Sequence, residues 1–128
     1  MKEGAYPLKL ILKKCIISLV FACCLILTGC NVETNNTIIS ELQSSDERYT
    51  AVKFERDMGA TTRKSIQLSI LPKGYKLGND TGNAYVSYDD FEFSWIEEDV
   101  LEIIKKKNSD SFKAENKLYD VDIVYKEQ

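Results

Sequence analysis

No histidine occurs anywhere in the 128 residues, and none of the four cysteines lies beyond position 30. The first absence removes the usual general base, and the second removes any sulfur nucleophile from Asn31 onward. It also excludes a disulfide in that stretch, so a domain there must hold together by packing alone. No G-x-S-x-G, S-x-x-K or phosphate-loop spacing occurs in it, and no internal repeat or heptad pattern is visible. These gaps argue against an enzyme and against a bound cofactor. Long apolar runs are missing too. The longest mostly apolar stretch, Cys15–Leu27, is 13 residues, and Lys13 and Lys14 stop its extension upstream. A bilayer-spanning helix needs about 20 apolar residues, whereas about 10–14 suits the core of an export signal.

What stands after that stretch is Leu27-Thr28-Gly29-Cys30. Small residues at Thr28 and Gly29 let an extended backbone enter a peptidase groove, and Cys30 offers a thiol for a diacylglyceryl thioether. With the basic start (Lys2, Lys9, Lys13, Lys14), the segment resembles a bacterial lipoprotein signal ending in a lipobox. The resemblance implies cleavage before Cys30, lipid attachment at Cys30, and residence on the extracytoplasmic face of a cell membrane. Two acyl chains on one cysteine anchor stably, where a single chain holds only marginally. The expected organisation is a signal peptide over 1–29, a lipid-anchored flexible tether over 30–47, and one domain over 48–128.

Loss of the leader removes four lysines and Glu3, leaving 13 Lys and Arg against 19 Asp and Glu. The formal charge moves from -3 to -6. An acidic body of this kind argues against nucleic acid as a partner, because phosphate binding needs clustered cations. The expected partners are the membrane, through the anchor, and a further protein.

Residues 31–47 are rich in Asn, Thr, Ser and Glu and read as a tether reaching roughly 20–25 Å. Thr37–Gln43 could add one or two helical turns, with Ile38, Ile39 and Leu42 on one face. From Arg48 the dominant period is two, the mark of half-buried strands. Thr50, Val52 and Phe54 alternate with Ala51, Lys53 and Glu55, and Ile66, Leu68 and Ile70 with polar neighbours. Lys73–Gly82 reads as an exposed glycine-bearing loop, followed by a short strand at Ala84–Tyr88. Phe91, Phe93 and Trp95 give an aromatic strand that forms a hairpin with Val100–Lys105. Phe112 is expected to pin the next connection to the core, and Tyr119–Tyr125 gives the last strand. About six strands with compact turns predict a mainly β domain, an antiparallel meander curled into a small sandwich or half-barrel. Phe93, Trp95, Leu101 and Ile103 are expected to be buried together.

Two clusters could carry chemistry. Asp80, Asp89 and Asp90, with Asn79 and Asn83, offer hard oxygen ligands for Ca²⁺, but the order of a calcium loop is absent. Turn formation by Asp and Asn is the favoured reading, and no metal site is expected. Tyr75, Tyr85 and Tyr88 flank the glycine-rich loop, and tyrosine is common at interfaces. They are the candidate partner-binding residues, against the plainer reading that they cap the end of the sheet.

Asp57-Met58-Gly59-Ala60-Thr61-Thr62 followed by Ser65–Ile70 resembles the opening of an uncharacterised bacterial domain of small exported proteins. Gly82-Asn83, Trp95, Leu101-Glu102-Ile103, Phe112 and Val121–Tyr125 agree in order. The resemblance implies a domain without an assigned activity. Met58 stands where that pattern often has cysteine, so any thiol role there would be lost in this chain. Gly59 is expected to supply a positive-φ turn. The functional expectation is a non-catalytic binding or envelope-associated module; the alternative is an immunity or inhibitor lipoprotein that engages another protein, and an enzyme without His or Cys comes third.

Overall fold

The computed structural model describes residues 8–26 and 34–128, which fall in two compact units, 1–32 and 33–128. The first contains one helix, α1 (Leu8–Ile26). No helix among the described residues is long and apolar enough to cross a membrane. Cys30 and the rest of Leu27-Thr28-Gly29-Cys30 lie outside the described residues.

The second unit is mainly β, as the period-two alternation predicts. Its strands are β1 (Asn35–Gln43), β2 (Tyr49–Asp57), β3 (Ser65–Pro72), β4 (Tyr85–Ser87), β5 (Phe91–Glu97), β6 (Val100–Lys105), β7 (Ser111–Ala114), β8 (Lys117–Leu118) and β9 (Val121–Glu127). They form a five-stranded sheet in the order β1-β2-β3-β4-β7 and a four-stranded sheet in the order β5-β6-β9-β8. The two sheets share one core, which makes the domain sandwich-like. Ala51, Leu68, Ile70 and Tyr85 from the first sheet pack with Phe91, Leu101, Ile103, Val121 and Ile123 from the second.

The order departs from the expected meander after β4. The chain places β7 beside β4, and β9 runs parallel to β6 with Leu101 opposite Ile123. Parallel neighbours need a crossover, and the segment holding β7 and β8 supplies it.

A second departure is β1. Residues 35–43, expected within the flexible tether or as helical turns, form an antiparallel pair with β2, Thr37 opposite Glu55 and Leu42 opposite Ala51. The polar composition that suggests a tether is also what an edge strand needs. β1 has exposed polar side chains and a bulge between Ile38 and Ser40, both of which discourage pairing with foreign strands. Ile38, Ile39 and Leu42 are exposed on it.

Trp95 is half-buried against the core rather than enclosed, as is Phe93. The indole instead closes the seam between the sheets, its Nε1 donating to the Leu42 carbonyl at 2.9 Å. Phe112 is a clear correction. It is exposed because β7 bulges against β4 between Val86 and Ser87, which takes it off the core face, and it stacks edge-on against Tyr88. Gly59 has φ +106°, and its N–H bonds Asp57 Oδ1, so the expected positive-φ turn is present.

Inside the sandwich, Lys53 sits on the core face opposite Leu68. Its ammonium reaches the Asp90 carboxylate at 2.6 Å and also donates to the Phe91 carbonyl, so a buried cation ties the two sheets together. That hydrogen bond holds the Asp90 carboxyl below its ordinary value of 3.8. A carboxyl depressed in the folded state adds stability above its unfolded pKa and loses it as pH falls through the folded one. Unfolding midpoints in urea are therefore expected to drop below about pH 4, and to drop less in Asp90→Asn than in the parent. Equal acid sensitivity in both would show that the Lys53 tie adds nothing.

Candidate functional site

The alternation in β2 predicts one buried face, yet Val52 and Phe54 are as buried as Ala51. The reason is the segment between β3 and β4, here called the strap (Lys73–Asn83). It is not a free loop. It crosses the outer face of the five-stranded sheet, and side chains of that face fasten its far half.

The fastenings are specific. Arg56 Nη1 donates to the Asn79 carbonyl at 2.7 Å and to Asn36 Oδ1 at 2.9 Å. Asn36 Nδ2 donates in turn to the Gly78 and Asp80 carbonyls. The Gly82 N–H donates to Gln67 Oε1 at 2.6 Å. Asn83 is fixed twice over, its side-chain oxygen accepting from the Ile70 N–H and its amide donating to the Ile70 carbonyl. The register that pairs Ile66 with Ser87 and Leu68 with Tyr85 would set Asn83 opposite Ile70, so this side chain continues the ladder where the backbone has left it.

The near half of the strap, Tyr75–Leu77, stands clear of the sheet over two adjoining hollows of about 420 and 400 Å³. Both share Leu71, Tyr75, Lys76 and Leu77. One side adds Ile38, Glu41, Thr50 and Val52. The other adds Ser69, Pro72, Asp80, Thr81 and Tyr119 among its walls. Tyr119 has φ +54° and stacks on Tyr49, which fixes its position. Together the hollows form an open groove that mixes aliphatic, aromatic and charged side chains at both ends.

Of the three tyrosines given as candidate partner-binding residues, only Tyr75 lines the groove. It is 72% exposed and lines both hollows. Tyr85 points into the core at 1% exposure, meeting Phe91 edge-on, because its place in β4 faces inward. Tyr88 belongs to a separate surface stack, with the Arg63 guanidinium above its ring and Phe112 beside it. The three do not form one patch.

The carboxylates considered as calcium ligands are dispersed. Asp90 pairs with Lys53, Asp80 lies on the strap, and the Asp89 N–H bonds Ser87 Oγ. Among the described residues no three His, Cys, Asp or Glu side chains gather as a metal site. A further hollow lined by Thr34, Asn35, Asp57, Gly59 and Asn79 is polar and carries one carboxylate.

Sequence reasoning passed over Leu71, Lys76, Leu77, Ile38 and Glu41. The available signal was the glycine spacing at 74, 78 and 82 beside two half-apolar strands, but it carries no indication of which way the loop folds. No protein-family model matches the chain, and no curated protein or solved structure is significantly similar to it. The fold and the groove therefore define the class by themselves: a small mainly-β, sandwich-like domain with a strapped outer face.

Proposed function

We propose that this chain is a lipid-anchored lipoprotein on the extracytoplasmic face of a cell membrane, whose β domain is a non-catalytic binding module. The anchor rests on Leu27-Thr28-Gly29-Cys30 at the end of an apolar segment too short to span a bilayer. The observation that carries binding is the groove under Tyr75–Leu77, an open concavity with an exposed aromatic at its rim. Histidine and a thiol beyond residue 30 are lacking, and no acid–base constellation lines the groove, so binding is its chemistry.

Each half has its own test. Cys30→Ser is expected to leave a precursor without the diacylglyceryl mass increment, read by intact-protein mass spectrometry of membrane fractions. A Cys30→Ser protein still processed and lipidated would sink the anchor. A photo-crosslinking residue at position 75 is expected to yield a discrete adduct in intact membranes, with none from position 98 on the β5–β6 turn. Equal labelling from both positions would remove the groove as the contact surface.

A further inference from the structure

We infer that the groove under the strap receives a short, extended polypeptide segment bearing one aliphatic or aromatic anchor next to a basic residue. This rests on the reading of that face as the contact surface and names the chemistry of what it contacts.

Three features of the groove point to a polypeptide. One end has an aliphatic wall of Ile38, Val52, Leu71 and Leu77 beside Glu41 and Thr50, which suits one apolar side chain with a polar flank. The backbone beside that end is open. Residues 75–78 lie outside helix, strand and turn, and the N–H groups of Lys76 and Leu77 have no acceptor among the described residues. The carbonyls of Gly78, Asn79 and Asp80, in contrast, are all held by Asn36 and Arg56. Consecutive N–H groups of such backbone diverge, so one of the two can take a main-chain carbonyl of an extended peptide while its side chain enters the hollow. The third feature is charge. The groove sets Glu41 and Asp80 against Lys76 alone, so its excess is negative and a basic flanking residue complements it.

Other occupants fit less well. A phosphate or another anion would meet one ammonium and two carboxylates. An acyl chain would leave Glu41, Lys76 and Asp80 unmatched.

The test uses the full-length protein in nanodiscs and, as probe, a phage-displayed library of random heptapeptides, followed by a synthetic peptide of the selected consensus. Selected sequences are expected to share a Leu, Ile, Val or Phe anchor with Lys or Arg beside it. Leu77→Asp should weaken the synthetic peptide at least about tenfold. Tyr75→Asp, at a position 72% exposed, should weaken it as well. Glu41→Lys should reduce affinity and flatten its salt dependence, and Asp99→Lys should change neither. No enrichment, or a consensus indifferent to Tyr75→Asp and Leu77→Asp, would overturn the inference. So would saturable binding of a fluorescent C16 fatty acid blocked by Leu77→Asp in place of any peptide. Persistent crosslinking from position 75 without peptide binding would leave the contact surface standing and remove only its assignment to a polypeptide.

Discussion

Replacing Phe54 with Ala is expected to remove about 3–5 kcal/mol of stability, the usual range for a fully buried aromatic. The ring is 0% exposed, yet it is not part of the core between the two sheets. It lies on the outer face of β2 between Val52, which the strap residues Tyr75 and Leu77 overhang, and Arg56, which grips Asn79. The strap thus creates a second, thinner apolar layer, with Phe54 as its largest member. Total stability for a domain of this size is about 5–15 kcal/mol, so the truncated protein should be close to unfolding. Equilibrium urea unfolding followed by the fluorescence of Trp95, the only tryptophan, would measure it. A loss under about 1 kcal/mol would mean that the strap lies loosely over this face and shields little.

That second layer marks the limit of what the sequence disclosed. Of the nine strands among the described residues, five were legible because their apolar residues fall every second position, as in Leu68 and Ile70 or Leu101 and Ile103, and the short β4 from its place after the glycine-bearing loop. The core face was legible in β3 and β6 for the same reason, but in β2 the alternation singles out Val52 and Phe54, whereas the core between the sheets takes Tyr49 and Ala51. β1 was not legible, since an edge strand exposed on both faces has no alternation to read. β7 and β8 are too short to carry a period at all. The parallel pairing of β6 with β9 depends on contacts between residues some 20 positions apart, which no local pattern encodes.

The candidate site follows the same logic. Tyr75 could be singled out as an interface type beside glycines, but so could Tyr85, which is buried. The two differ in whether the chain at that point lies in a strand facing the core or on a strap above the outer face. Composition cannot separate these. Arg56 and Gln67 read as ordinary polar residues of strands, and Asn36 as part of a tether, until the strap is laid across them. The burial of Arg56 and Gln67 then becomes explicable, since a polar side chain on a covered face must find a partner, and the strap backbone provides one.

The strap's return to the sheet leads to the other large effect, at Gly82. A methyl group there would stand 2.9 Å from the Leu68 carbonyl oxygen, 3.0 Å from the Gln67 Cβ and 3.1 Å from the Tyr85 carbonyl oxygen. Two of these neighbours are backbone atoms of paired strands, so they cannot rotate aside as a long side chain would. The Leu68 carbonyl also accepts from the Ala84 N–H at 3.0 Å, and the Gly82 N–H is itself bonded to Gln67. Gly82→Ala therefore has to push β3 from β4 or lift the end of the strap, breaking one of these bonds. The expected cost is about 3 kcal/mol, the upper end for an overpacked site. Gly78→Ala is the matched control. Its added Cβ would meet only Asp80 Oδ2, at 3.6 Å, an ordinary contact, and the backbone there needs no positive φ. The control should stay within about 0.5 kcal/mol of the parent. Hydrogen exchange would locate the damage. In Gly82→Ala the amides of Ile70 and Asn83 should lose protection, because Asn83 can no longer reach Ile70 from a displaced strap. If Gly82→Ala unfolds at the parent's urea concentration with those amides still protected, the close passage of the strap over β3 is wrong, and the groove built on it falls with it.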